Sequence, residues 1–127
     1  MSAQQVYLQT AQKFVKKLTQ ETDNVKAVVL YGSVARKQAR EESDIDLLIV
    51  IDGEKRIIEE KTLDIAYNLD LENKFKTFIA PLCMNVEELT SELRLNPSLA
   101  DAILKEGVVL YDDGILEEIR TKIYGNS

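Results

Sequence analysis

Gly32-Ser33-Val34-Ala35-Arg36-Lys37-Gln38-Ala39-Arg40-Glu41-Glu42-Ser43-Asp44-Ile45-Asp46-Leu47-Leu48-Ile49-Val50-Ile51 decides how the chain is read. A turn of small residues opens it, and two carboxylates one residue apart lie near its middle. The apolar runs on either side, Val25 to Tyr31 and Ile45 to Ile51, are short, continuous and rich in β-branched residues. Such runs form buried strands, and a short helix is expected between them. Side chains at i and i+2 of a strand share a face, so Asp44 and Asp46 stand side by side where the second strand begins. Two anions held that close repel each other unless a divalent cation bridges them.

The turn supplies what a nucleotide would need beside such a cation. Gly32 can adopt a backbone conformation closed to other residues and lets a ligand approach the main chain. Ser33 brings a hydroxyl to the start of the expected helix, where free N–H groups face an incoming anion. A triphosphate would be held by those donors at one end and by the cation on Asp44 and Asp46 at the other. All-oxygen ligands suit Mg²⁺ or Mn²⁺, and the chain has no histidine for a zinc site or a histidine base. Arg36 and Arg40 lie one turn apart on the intervening helix, either steering phosphate or forming a solvated face.

Gly-Ser, ten residues, then Asp-x-Asp on a strand, with Ala35-Arg36 after the first element and Ser43 before the second, resembles the DNA polymerase β-like nucleotidyltransferase superfamily in its minimal stand-alone form. Weaker similarity continues through Gly107-Val108-Val109-Leu110-Tyr111. The resemblance implies an enzyme that moves a nucleoside monophosphate, AMP from ATP with Mg²⁺ or Mn²⁺, onto an acceptor hydroxyl. Asp44 and Asp46 would be the catalytic metal ligands, Gly32 and Ser33 would hold the β- and γ-phosphates, and Arg36 and Ser43 would complete the nucleotide site. Small stand-alone members of the family are often paired with a helical HEPN-type toxin that they neutralise by adenylylation, which implies a protein acceptor and an antitoxin role. The family also raises a third carboxylate from a later strand. Here that stretch reads Lys74-Phe75-Lys76-Thr77-Phe78-Ile79-Ala80-Pro81-Leu82-Cys83-Met84 and holds no acid. The missing group belongs at Ala80, with Thr77 as the second choice, and Glu41 or Glu42 is an open substitute. The alternative function is therefore a nucleotide-binding and protein-binding module of the same fold with weak or absent catalysis. An unrelated α/β domain with an acidic surface turn is the third reading.

Composition narrows the rest. The 127 residues, 45% hydrophobic and 30% charged, suit one globular domain spanning 1–127. A net charge of −6 argues against a protein that grips long nucleic acid through many phosphate contacts. Cys83 is the one cysteine and lies in an apolar run, so a buried thiol and a reducing, cytoplasmic setting are expected. Neither a leader pattern nor a membrane-length apolar segment is present, and no membrane partner is expected.

Helical spacing of Tyr7, Ala11, Phe14, Val15 and Leu18 predicts a first helix from Ala3 to Thr22, with Gln4, Gln12, Lys13 and Lys16 outside. A second helix runs from Glu54 to about Asn73 on the stripe Ile58, Ile65, Ala66, Leu69, with Glu59, Glu60, Asp64, Asp70 and Glu72 solvated. Strand Phe75 to Met84 follows, marked as edge or bulged by Pro81. Then come helices Val86 to Leu93 and Ser98 to Glu106, a short apolar segment Val108 to Tyr111, and a helix Gly114 to Tyr124 that covers the core or meets a partner or a second copy. The expected fold is α/β (α+β), a small mixed sheet of about four strands with helices mainly on one face, in the nucleotidyltransferase arrangement.

Overall fold

The structure is a computed structural model that describes residues 1–125. Its elements are α1 (Ala3–Glu21), β1 (Val25–Tyr31), β2 (Asp44–Ile51), α2 (Lys55–Glu72), β3 (Phe78–Asn85), α3 (Val86–Leu95), α4 (Pro97–Leu104), β4 (Val108–Asp112) and α5 (Ile115–Tyr124). Local chemistry sets most of these bounds. Ser2 and Gln5 form a capping box at the start of α1, and Asn85 and Glu88 form another at α3. Asn96 caps α4 with Pro97 in its first turn. Each satisfies N–H groups that a helix start leaves without partners.

The sheet has the order β3-β2-β1-β4. β1 runs antiparallel to both β2 and β4, whereas β2 and β3 are parallel and joined through α2. A parallel pair needs a crossover of this kind. β3 is an edge strand, as Pro81 requires, because a proline cannot donate to a second neighbour.

Both faces of the sheet are covered. Ile45, Leu47, Ile49 and Ile51 of β2 pack with Phe14 and Leu18 of α1 and Ile58, Ile65 and Leu69 of α2. Leu48 and Val50, pointing the other way, pack with Leu89 and Leu93 of α3, Ile103 of α4 and Leu116 and Ile119 of α5. The fold class is the expected one, but two helices lie on one face and three on the other, where helices mainly on one face were anticipated. The reason is in the central strands: β1 and β2 are apolar at nearly every position, and a strand that is apolar on both faces must be covered on both. Each fully buried Leu or Ile removed from water contributes about 2 kcal/mol.

Two further expectations change. The chain from Gly32 to Gln38 makes one closed turn instead of a short helix: the Arg36, Lys37 and Gln38 N–H groups donate to the Gly32, Val34 and Ser33 carbonyls, and Lys37 has φ 58°. Arg36 and Arg40 therefore do not share a helix face. Asp70, expected at the surface, is buried at 6% exposure. Its carboxylate accepts from Thr77 Oγ1 at 2.7 Å and from the Ile79 N–H at 3.1 Å, and Asn73 Nδ2 ties Thr77 to Thr10 of α1. This network fastens the start of β3 to the middle of α1 and the end of α2. α2 itself ends on Lys74 and Phe75 at φ 56° and 57°, a left-handed exit usually made by glycine. No described helix is long and apolar enough to cross a membrane.

Two outcomes follow from this packing. Burial raises the Cys83 thiol above its ordinary value, opposed by its hydrogen bond with Thr62. The unfolded thiol then loses its proton first, so this group's contribution to stability is intact below about pH 9 and declines as pH rises from there toward the folded value. Thiol alkylation at pH 8 is expected to be slow in the native chain and rapid in denaturant. Lys74→Gly removes left-handed strain and should raise stability by about 0.5–1 kcal/mol in urea unfolding.

Candidate functional site

The two aspartates sit at the mouth of β2, one exposed and one half-buried. Alternation places both on the face that carries Leu48 and Val50. Asp46 lies in register with Tyr31 of β1 on one side and with Ala80 of β3 on the other, and Asp44 lies in register with Phe78. In a parallel pair, residues in register share a face, so Ala80 occupies the place from which a third side chain would reach Asp46. Thr77 is excluded as that place: it is buried against Asp70.

Gly32 closes the site from the β1 end. Its φ is +78°, and a Cβ there would overlap Asp46 Oδ2. No other residue fits between the turn and the carboxylate without displacing it. Beyond Gly32, the N–H groups of Ser33, Val34 and Ala35 have no protein acceptor among the described residues, leaving three donors free as at the first turn of a helix. Gln4, expected on the outside of α1, holds this loop. Its Nε2 donates to the Val34 carbonyl at 2.7 Å, and its Oε1 accepts from the Ala39 N–H at 3.4 Å. Spacing on a helix reports only which face a residue takes, so this role was not legible from sequence.

Electrostatics marks Asp46. Burial raises its carboxyl pKa above the ordinary value, the neighbouring Asp44 charge raises it further, and Arg36 pulls the other way. Arg36 is therefore close enough to act on the site, although in this structure its guanidinium reaches Glu106 at 3.9 Å and Gln38 at 3.3 Å. Tyr31 is half-buried, and its phenol is held above the usual range by burial and by the Asp46 charge. Ser43 closes the turn before Asp44, its Oγ accepting from the Arg40 N–H at 2.9 Å. Arg40 is exposed.

An acidic pair destabilised by its own repulsion fits a divalent cation, and both candidate ligands offer oxygen. The described residues contain no group of three His, Cys, Asp or Glu side chains placed to hold a metal. Glu41 and Glu42, the open substitutes for a third ligand, are both exposed. A cleft of about 540 Å³ opens beside this site, touching Ser43 and Phe78 but neither aspartate.

The match to known proteins agrees with this geometry. Residues 13–114 match the family model described as polymerase beta, nucleotidyltransferase. The chain belongs to the polymerase β nucleotidyltransferase family. Within the family, it is 36% identical over 90 residues to a protein of Methanocaldococcus jannaschii named as a candidate protein adenylyltransferase, spanning 68% of this chain and 79% of that one. Among solved structures, the nucleotidyltransferase fold aligns with a toxin–antitoxin structure containing AMP-PNP at a TM-score of 0.60 and 16% identity, covering 89% of this chain and 83% of that one. It also aligns with the complex of the tri-AMPylated HEPN toxin of Shewanella oneidensis and its MNT antitoxin at a TM-score of 0.56 and 15% identity, covering 93% and 83%.

Repulsion between the aspartates gives a measurement independent of activity. Asp46→Asn should raise the thermal midpoint of the metal-free chain, because it removes a half-buried charge facing a like charge. Addition of Mn²⁺ should raise the midpoint of the parent chain and leave that of Asp46→Asn unchanged.

Proposed function

We propose that this nucleotidyltransferase transfers AMP from ATP to a hydroxyl on a protein, with a HEPN-type partner as the acceptor and its neutralisation as the result. The observation that carries the reading is the register that sets Asp46 against the Gly32 turn, bringing free N–H donors and two carboxylates to one end of the sheet. The M. jannaschii relative and the fold shared with the AMPylated toxin complex support AMP as the group moved and protein as the acceptor.

The roles follow from position. The free N–H groups after Gly32 and the Ser33 hydroxyl bind the β- and γ-phosphates, and Gly32 lets the main chain approach them. Arg36 exchanges its exposed contact with Glu106 for phosphate, a small loss since that pair is long and solvated. Ser43 fixes the turn that presents Asp44. Asp44 and Asp46 would hold Mg²⁺ or Mn²⁺, which when bound neutralises charge on the triphosphate and on the α-phosphoryl group under attack. The acceptor oxygen forms the new bond to the α-phosphorus as the bond to the β-phosphate bridge breaks, and pyrophosphate leaves. With alanine at 80, no side chain of β3 takes the acceptor proton, and it passes to water.

That last point supports a second reading, in which the chain binds nucleotide and partner but transfers slowly or not at all. Ala80 opposite Asp46 is the observation behind it.

Purified chain incubated with α-³²P-labelled ATP, Mg²⁺ and a HEPN-type protein should label that protein, and Asp46→Asn should abolish the label. Ala80→Asp restores a carboxylate at the register position and should raise the rate about a hundredfold, the lower range for a positioned proton acceptor. Absence of label in the parent chain and in Ala80→Asp, with ATP binding intact by calorimetry, would leave the binding-module reading.

A further inference from the structure

The transferase reading uses the β1 side of Asp46 and leaves the β3 side unexplained. On that side the surface is unusually apolar. Leu63, Tyr67 and Leu71 form an exposed stripe at helical spacing along α2, and Phe75 and Phe78 continue it toward Asp44. These five side chains are between 49 and 61% exposed. The Tyr67 and Phe75 rings lie 5.8 Å apart at 56°, a tilted pair that joins the helical stripe to the segment after it. Phe75 and Phe78 then enter the 540 Å³ cleft, whose other walls come from Tyr7 of α1 and from Glu41 and Glu42.

Extent and charge decide what this surface takes. Leu63 to Leu71 alone spans about 12 Å of helix, and the patch continues beyond it into the cleft. A nucleobase covers one ring, whereas an exposed apolar surface of this length fits a protein. Glu41, Glu42 and Asp44 are exposed and take no part in the ion pairs among the described residues, so the wall nearest the aspartates is acidic, although Lys76 also lines the cleft. A second copy, carrying the same net charge of −6, would meet this wall unfavourably. A basic segment would meet it favourably. Glu42 on one wall and Phe75 on the other both have left-handed backbones, at φ 69° and 57°, so both walls hold shapes that their residue types do not choose unaided.

We propose that the cleft and the aromatic surface beside it form the docking site for the acceptor protein, which inserts an apolar side chain flanked by Lys or Arg. The assignment rests on the reading of this chain as a transferase acting on protein. Phe75 and Phe78 anchor the inserted side chain, and Glu41 and Glu42 hold the flanking cations. Because Phe78 is in register with Asp44, a segment held there lies beside the carboxylates and across Asp46 from the phosphate turn.

The test uses the intact chain and a readout that needs no catalysis. Immobilised chain is panned with a phage-displayed random-peptide library, and the enriched peptides are measured by fluorescence anisotropy. Enriched peptides should carry an apolar residue between basic ones. Phe75→Ala with Phe78→Ala should weaken their binding about tenfold or more. Glu41→Lys with Glu42→Lys should weaken it severalfold and flatten its salt dependence. Circular dichroism should show both variants folded, and each alone decides the proposal if the other does not fold. Failure to enrich peptides above a control surface, equal binding by the variants, or displacement of the peptides by ATP would overturn it. Asp46→Asn should end AMP transfer and leave peptide binding unchanged, so the docking site and the transferase reading fail separately.

Discussion

Two negative charges held side by side at the end of a buried strand are the constraint on which the site depends. Asp44 and Asp46 share a face because a strand alternates, and Asp46 is half-buried because β1 and β3 flank it. Burial and the neighbouring charge both raise the Asp46 pKa, an electrostatic cost that the buried sheet around it sustains. The same arrangement dictates the glycine at 32, since the turn passes close enough to the carboxylate that a Cβ would overlap it. Pair, glycine and turn therefore form one unit, and the apolar layers on both faces hold it in place.

That unit was legible in the sequence for a physical reason. Its parts are contiguous, their spacing is fixed by a strand period, and glycine and aspartate are chemically specific. The strands and the edge position of β3 were legible likewise, from apolar runs and a proline, whereas the closed form of the turn after Gly32, expected as a short helix, was not. What stayed hidden depended on contacts distant in sequence. Asp70 looks like any acid on an amphipathic helix until Thr77 and the Ile79 N–H are brought to it. Gln4 looks solvated until the loop at 34–39 folds over it. The two-sided cover of the sheet was implied by unbroken apolar strands, yet helix stripes alone do not say which face each helix takes.

The site also shows how unequal its two flanks are. On the β1 side the chain is tight, with a closed turn and a glycine. On the β3 side it is open, with an edge strand, alanine in register with the inner aspartate and phenylalanine in register with the outer one. The strand order thus places a closed flank and an open flank on either side of the same aspartate.

Gln4 carries a consequence for motion. It lies in the first turn of α1, the part of a helix most prone to fray, and the capping box of Ser2 and Gln5 restrains that turn by about 1 kcal/mol. Opening of that turn would release the Val34 and Ala39 contacts together, tying the loop at 34–39 to the fraying of a helix end. Partners or modifications that grip the beginning of α1 would thereby set how long the loop keeps its shape, without touching the loop.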